Sequence, residues 1–417
     1  MLLSTRRVFM RRGLALLAAA PTLPAFLDNT CLALEHQADG ALTQQPSGKD
    51  GKILVVLQLA GGNDGLNMLV PYADDAYHRA RPTLGVDPTV VHKLNDYVGL
   101  HPNLLPLTKL FEKGTASVIQ GVGYPNPNRS HFRSTDIWES AQPDRQIATS
   151  GWVGRYFDNT CSGADPHPGI SMGAAVPLAM QGEKITPLAF ERPESYRYRG
   201  PDIERYMKLN RASQADSSAG GAQSQLDFLH RTAMDAQLSS DAILRVTAGH
   251  RPEAAYPPGE FGLGLQTVAA MIGGGLSTRV YYVSMGGFDT HANERARHDQ
   301  LMKQLGMGID AFWAEMTTQG NADRVLMMTF SEFGRRVQQN ASGGTDHGAA
   351  APMFVFGGAV KGAVVGDHPS LTDLDHGDLK FTTDFRSVYA AILENWLQTP
   401  AKPILGGDFP PLSLLKA

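Results

Sequence analysis

Cysteine is nearly absent, with two in 417 residues, Cys31 and Cys161. Thiolates therefore form no cluster that could hold a redox centre. An excess of positive charge is missing too: 37 Lys and Arg stand against 41 Asp and Glu, for a net charge of −4. With a pI near 6.3 and no Lys/Arg stripe, the chain lacks the electrostatic footprint of a nucleic-acid partner. The one long apolar run, 14–27, is broken by Pro21 and Pro24 and is too short to span a hydrocarbon layer of roughly 30 Å. No Gly-x-Gly-x-x-Gly spacing follows the first strand-like run, which argues against a dinucleotide enzyme. Internal repeats and long low-complexity tracts are absent as well.

What remains is ordinary globular material, 42% hydrophobic and 19% charged, enough for one large domain or two smaller ones. The N-terminus has a charged region, Ser4 to Arg12, followed by that apolar run, the layout of an export signal. Thr5, Arg6, Arg7, Phe9 and Met10 resemble the twin-arginine signal, which implies passage through the twin-arginine machinery to the periplasm or beyond. Cleavage after Ala33 gives a signal over 1–33 and a polar linker over 34–50, leaving no stable membrane insertion.

From Lys52 onward, short apolar runs recur at 53–60, 116–121, 279–285, 324–330 and 353–356, rich in β-branched residues and suited to strands buried on both faces. Between them the spacing predicts helices over 103–112, 130–140, 223–246, 263–272, 294–318 and 385–397. This alternation predicts an α/β fold, a three-layer sandwich with a mostly parallel central sheet, as a single domain over 51–417. Residues 184–222 are polar and end in a Gly/Ser-rich stretch, so they are expected to form an insertion or cap.

In a parallel α/β sheet, ligands bind beyond the carboxyl ends of the strands. The runs end in Gly61-Gly62-Asn63-Asp64, in Gly286-Gly287-Phe288-Asp289-Thr290-His291 and in Ser331-Glu332-Phe333-Gly334. Asp346-His347 follows within Gly343-Gly344-Thr345-Asp346-His347-Gly348. Each acid alone reads equally well as part of a turn, and Glu332 as a salt-bridge partner of Arg335. Together, Asp64, Asp289, His291, Glu332, Asp346 and His347 form a candidate ligand set for divalent metal, with Zn, Mg, Mn and Ca all open. His298 could share a helical face with His291, although an ordinary helix-surface histidine explains it slightly better.

A further segment, Tyr124 to Ser134, runs from the second strand into a helix, with Ser130 at the N-cap position. Ser130 either caps that helix or, with Arg129, His131 and Arg133, offers a hydroxyl and cations to an anion at the helix N-terminus. In the second reading Ser130 is a candidate nucleophile.

With these motifs on the page, the chain resembles the domain of unknown function 1501 family. The resemblance rests on LQLAGGNDGLNMLVPY at 58–72, GVGYPNPNRSHFRSTDIWES at 121–140, GGFDTHAN at 286–293, TFSEFGRR at 329–336, GGTDHG at 343–348 and TTDFRSVYAAILENWL at 382–397. It implies an alkaline-phosphatase-like, sulfatase-like plan: an Asp after the first strand (Asp64), a nucleophile at a helix start (Ser130), an Asp/His group (Asp289, His291), and a last pair. That pair falls at Glu332-Phe333 by strand position or at Asp346-His347 by residue type. The implied activity is hydrolysis of phosphate or sulfate esters or related anionic substrates, by a Ser nucleophile or metal-activated water. The alternative is an exported binding or assembly protein that keeps the fold without the chemistry.

Overall fold

The computed structural model describes residues 51–161, 168–185, 187–196 and 239–416. The expected signal and linker, and residues 197–222 of the expected cap, lie outside the described residues. The expected helix over 223–246 is seen only in its last part, within helical residues 239–248.

The centre of the molecule is strand β1, Ile53–Leu59, in which every side chain but Gln58 is buried. Apart from Gln58, neither face of β1 meets solvent, which is why its sequence shows no alternation. The other strands of its sheet are β2 (Ala116–Gly123), β3 (Gly169–Met172), β4 (Leu188–Ala189), β5 (Val280–Met285) and β6 (Val325–Phe330). A short hairpin of β7 (Arg335–Gln339) and β8 (Thr345–His347) leads into β9 (Ala351–Phe356), and two edge pieces follow, β10 (Val364–Val365) and β11 (Thr383–Asp384).

The sheet order is β10-β2-β9-β6-β1-β5-β3-β4, with β11 also beside β2. All pairings are parallel except those of β9, which runs antiparallel to β2 and β6. The cause is local: the chain leaves β6 at the carboxyl edge, makes the β7–β8 hairpin there, and re-enters the sheet from that same edge. Residues 188–189, expected to begin a cap, instead form an edge strand of the sheet.

Helices cover both faces: α1 (Gly65–Met68), α2 (Asp75–Ala80), α3 (Leu105–Glu112), α4 (His131–Ser140), α5 (Trp152–Thr160), α6 (Glu260–Gly273), α7 (Glu294–Thr318), α8 (Phe385–Ala391) and α9 (Ala401–Leu405). Odd-numbered β1 residues such as Val55 and Leu57 join Leu305 and Phe312 of α7 in one core. Even-numbered residues such as Val56 join Trp138, Trp152 and Tyr389 in the other. Two separate apolar layers on one sheet are the expected three-layer sandwich. The carboxyl ends of β1, β2, β5 and β6 share one edge, where the polar motifs collect.

Candidate metal centre

Four tips meet at that edge because the backbone between them is cut close. Gly61 takes φ +119°, and a Cβ there would lie 2.5 Å from the amide nitrogen of Asp289. Gly344 in the hairpin is pressed onto His291, whose carbonyl carbon would be 2.3 Å from an added Cβ. Glycine is required at both positions by approach of other backbone.

Arg335 locks the tips. Its side chain is fully buried and donates to the carbonyl oxygens of Gly61 at 2.5 Å, Gly62 at 2.6 Å, Thr345 at 2.8 Å and Phe288 at 3.0 Å. It also donates to Asp289 Oδ1 at 2.8 Å. One guanidinium thus ties β1, β5 and the hairpin together. Sequence spacing paired Arg335 with Glu332; in the structure its carboxylate partner is Asp289.

Around Asp289 stand three imidazoles. His131 Nε2 is 3.6 Å from Asp289 Oδ2. His291 Nε2 and His347 Nε2 lie 3.1 and 3.3 Å from Asp289 Oδ1, and 2.9 Å from each other. Ligand atoms of His131, Asp289 and His347 all fall within 4.8 Å of one another. The rings of His131 and His347 pack on Phe333, at 4.9 and 4.4 Å between centroids, so Phe333 buttresses two imidazoles.

The far nitrogens of two rings are already committed. His131 Nδ1 meets Glu332 Oε1 at 2.9 Å, and Glu332, only 3% exposed, also accepts from the amide of Gly61 at 2.8 Å. His347 Nδ1 meets the carbonyl of Arg129 at 2.9 Å. With Nδ1–H donated to oxygen in both, the Nε2 lone pairs face Asp289, the arrangement that prepares histidine for a metal. Burial resists ionisation of Asp289, but the hydrogen bond and the charge of Arg335 prevail and hold its carboxyl down at about 2. Burial pushes the His347 imidazole below its ordinary value, toward the neutral form. Side chains of Asp289 and His291 are 48% and 46% exposed, so the cluster is open to an incoming molecule.

The remaining expected residues fall around this centre unequally. Asp346 lies 3.5 Å from His291 Nδ1 and accepts from Asn340, whose hydrogen bond holds its carboxyl below the usual range. Ser130 stands at the N-cap of α4 but makes no capping bond with its side chain, and it is exposed beside His131. Arg129 is ion-paired with the buried Asp378. Arg133 turns away to the carbonyls of Pro143 and Arg145. Asp64 is fully buried and ion-paired with Arg81, whose guanidinium also donates to Asn67 at 2.9 Å and to the carbonyls of Val337 and Arg336. It sits with Glu294 and His298 in a cluster separate from the three imidazoles.

That inner cluster was not anticipated as a unit. His298 is buried against Asn63 Oδ1 at 3.2 Å, and burial drives its imidazole down to about 4, so it stays neutral. Glu294 accepts from Thr345 at 2.6 Å and faces Asp64 with its other oxygen. Burial, then the Asp64 charge, raise its carboxyl to about 9, so the two acids share one proton.

The family model described as "Protein of unknown function (DUF1501)" matches residues 51–385. No curated protein matches the chain. Among solved structures, the chain is similar to the PsFucS1 sulfatase from Pseudoalteromonas sp., at 10% identity over 84% of this chain and 70% of that one, with a TM-score of 0.35. It is also similar to a protein in the alkaline phosphatase superfamily from Vibrio parahaemolyticus, at 9% identity over 82% and 70%, with a TM-score of 0.33. A third is the phosphonate monoester hydrolase of Agrobacterium radiobacter, at 10% identity over 86% and 78%, with a TM-score of 0.30.

Proposed function

The chain belongs to the DUF1501 family, and from the geometry of its histidine–aspartate centre we propose that it is a metal-dependent hydrolase of phosphate or sulfate esters or related anionic substrates. The observation that carries this reading is the convergence of His131, Asp289 and His347 within 4.8 Å, with His291 alongside. The donor set fits a divalent ion: imidazole nitrogens with fixed tautomers and an ionised carboxylate suit zinc and its neighbours. His131, Asp289, His291 and His347 would hold the ion, and Asp346 supports His291 from outside. When bound, such an ion supplies Lewis-acid polarisation of an ester oxygen and a lowered pKa for an attacking hydroxyl or water.

The chain's own groups divide the remaining work. Glu332 orients His131, and Arg335 holds Asp289 in place while keeping it ionised. Ser130 offers an uncapped, exposed hydroxyl next to His131 as nucleophile, with water as the other source of the attacking oxygen. The N-terminal motif supports action beyond the inner membrane after twin-arginine export. Among the described residues no helix is long and apolar enough to cross a membrane.

One observation favours a binding or assembly protein with a structural metal instead. Arg129 and Arg133 are both committed to protein partners, leaving neither available as expected to clamp an anion. Metal analysis of purified protein, combined with a panel of aryl phosphate and sulfate esters, separates the two. The hydrolase reading expects bound divalent metal and ester cleavage, both lost in Asp289→Ala. Metal without cleavage of any ester supports the binding protein, and absence of metal overturns both.

A further inference from the structure

A second polar feature lies on the sheet face that α4 covers. Gln58 of β1 and Ser284 of β5 are register partners, at the carboxyl ends of two central strands. Such positions are normally sealed by helices, yet Ser284 is exposed and Gln58 half-buried. Beyond them, among the described residues, a Cβ on Gly286 would meet nothing within 4 Å. Beneath lie Tyr282 and Glu139, 3% and 5% exposed.

These four side chains form a continuous hydrogen-bond chain. Tyr282 Oη is 2.9 Å from Glu139 Oε1 and 3.0 Å from Gln58 Oε1, and Ser284 Oγ is 3.2 Å from Gln58 Oε1. A tyrosine hydroxyl has one hydrogen and cannot donate to two bare acceptors. A proton on Glu139 completes both contacts: Glu139 donates to Tyr282, which donates to Gln58, which also accepts from Ser284. Glu139 Oε2 meanwhile accepts from the amide of Ala179 at 3.1 Å. Burial raises the Glu139 carboxyl to about 7, so below neutral pH that proton is in place.

The count fixes what the notch offers outward. Gln58 Oε1 is used twice, leaving both Nε2 hydrogens, and Ser284 Oγ has given its hydrogen, leaving its lone pairs. Two donors beside an acceptor match a hydroxyl group, which accepts and donates at once. We propose that the Gln58–Ser284 notch binds a hydroxyl-bearing part of the ligand, a sugar or other polyol, whose hydroxyl accepts from Gln58 Nε2 and donates to Ser284 Oγ.

Its relation to the metal centre rests on the hydrolase reading above. α4 starts at His131 and reaches Glu139 eight residues on, a rise of about 12 Å. A polyol seated in the notch would thus be the alcohol portion of an ester whose charged group lies at His131 and Asp289.

Titration calorimetry of the full chain at pH 6 tests the notch. One arm uses the neutral probes glucose, galactose, mannose and glycerol, and the other uses their monosulfates against methyl sulfate. The expected result is that at least one polyol binds the wild type and is weakened about tenfold in Gln58→Leu and in Ser284→Ala. Ser284→Thr, which keeps the hydroxyl, restores binding, and methyl sulfate is unaffected by any of the three. Unchanged melting temperatures exclude unfolding as the cause. Failure of all four neutral probes to bind the wild type, or binding that survives both Gln58→Leu and Ser284→Ala, overturns the proposal. Failure of the sulfates while a neutral polyol still binds counts against the hydrolase reading alone.

Discussion

Glu332 Oε1 receives two donors at once, the Nδ1 of His131 at 2.9 Å and the amide of Gly61 at 2.8 Å. The same carboxylate oxygen thereby sets the tautomer of a candidate ligand from α4 and pins the tip of β1. Glu332 is therefore a positioning residue. The sequence left it open whether Glu332 ligates or supports; this geometry argues for support.

Glu332→Gln keeps the shape but replaces the charged acceptor with a neutral amide. Metal should still bind, with affinity lowered about 10- to 100-fold, as is usual when the partner of a ligating histidine is weakened. Competition with a chelator of known affinity reads this directly. Complete loss of metal would mean that Glu332 is itself a ligand.

Arg335→Lys tests the lock on the strand tips. A lysine cannot reproduce a planar fork that serves four carbonyls and Asp289, and the carbonyls of Gly62, Phe288 and Thr345 left behind belong to buried residues. Urea unfolding should show a loss of roughly 2–4 kcal/mol. A change within about 0.5 kcal/mol, typical of surface sites, would show that the tips hold together without it.

The Asp64–Glu294 pair makes a pH prediction. Glu294 titrates at about 9 when folded and near its ordinary 4.5 when unfolded. Its folded pKa is raised, so its contribution to stability is fully present below about 4.5 and is lost as pH rises through about 9. Between those values the native state carries the extra proton, and stability falls with rising pH by at most about 1.4 kcal/mol per unit. Glu294→Gln keeps a hydrogen-bond donor toward Asp64 without a titrating group, so its urea midpoint should lose that decline. Measurements at pH 5.5, 7 and 8.5, with chelator present, compare the two slopes; parallel slopes would rule out the shared proton.

How much of this was legible beforehand follows from physical range. β1, β5 and β6 could be read because burial on both faces leaves an unbroken apolar run, and α7 spans 294–318 in both readings. The tips carrying Asp289, His291 and His347 were visible because chemistry in parallel sheets gathers at carboxyl ends. The reversal at β9 was hidden, since a buried antiparallel strand has the same composition as a parallel one. Also hidden were α5 and the four-residue β3, which begins at a glycine. Arg335 and the metal-facing role of His131 depend on contacts between segments far apart in the chain, from Arg335 to Gly62 and from His131 to Glu332, for which local spacing gives no signal.

Asp64 and Asp289 give the sharpest contrast, because both are acids following a glycine-containing strand tip and the sequence treats them alike. The structure separates them by partner and exposure: Asp64 is fully buried on Arg81, whereas Asp289 is half-open among three imidazoles. Removing the Asp64 carboxylate strands a buried guanidinium, so Asp64→Ala should cost about 3–5 kcal/mol of folding stability. Metal stoichiometry should stay at the wild-type value in whatever fraction remains folded. Asp289→Ala should do the reverse, abolishing metal binding with a smaller loss of stability, because Arg335 keeps its four carbonyl acceptors. Measuring metal content and urea midpoint on both variants gives four numbers that must fall in this crossed pattern. Loss of metal in Asp64→Ala at unchanged stability would move Asp64 into the metal centre and require the two clusters to be one site.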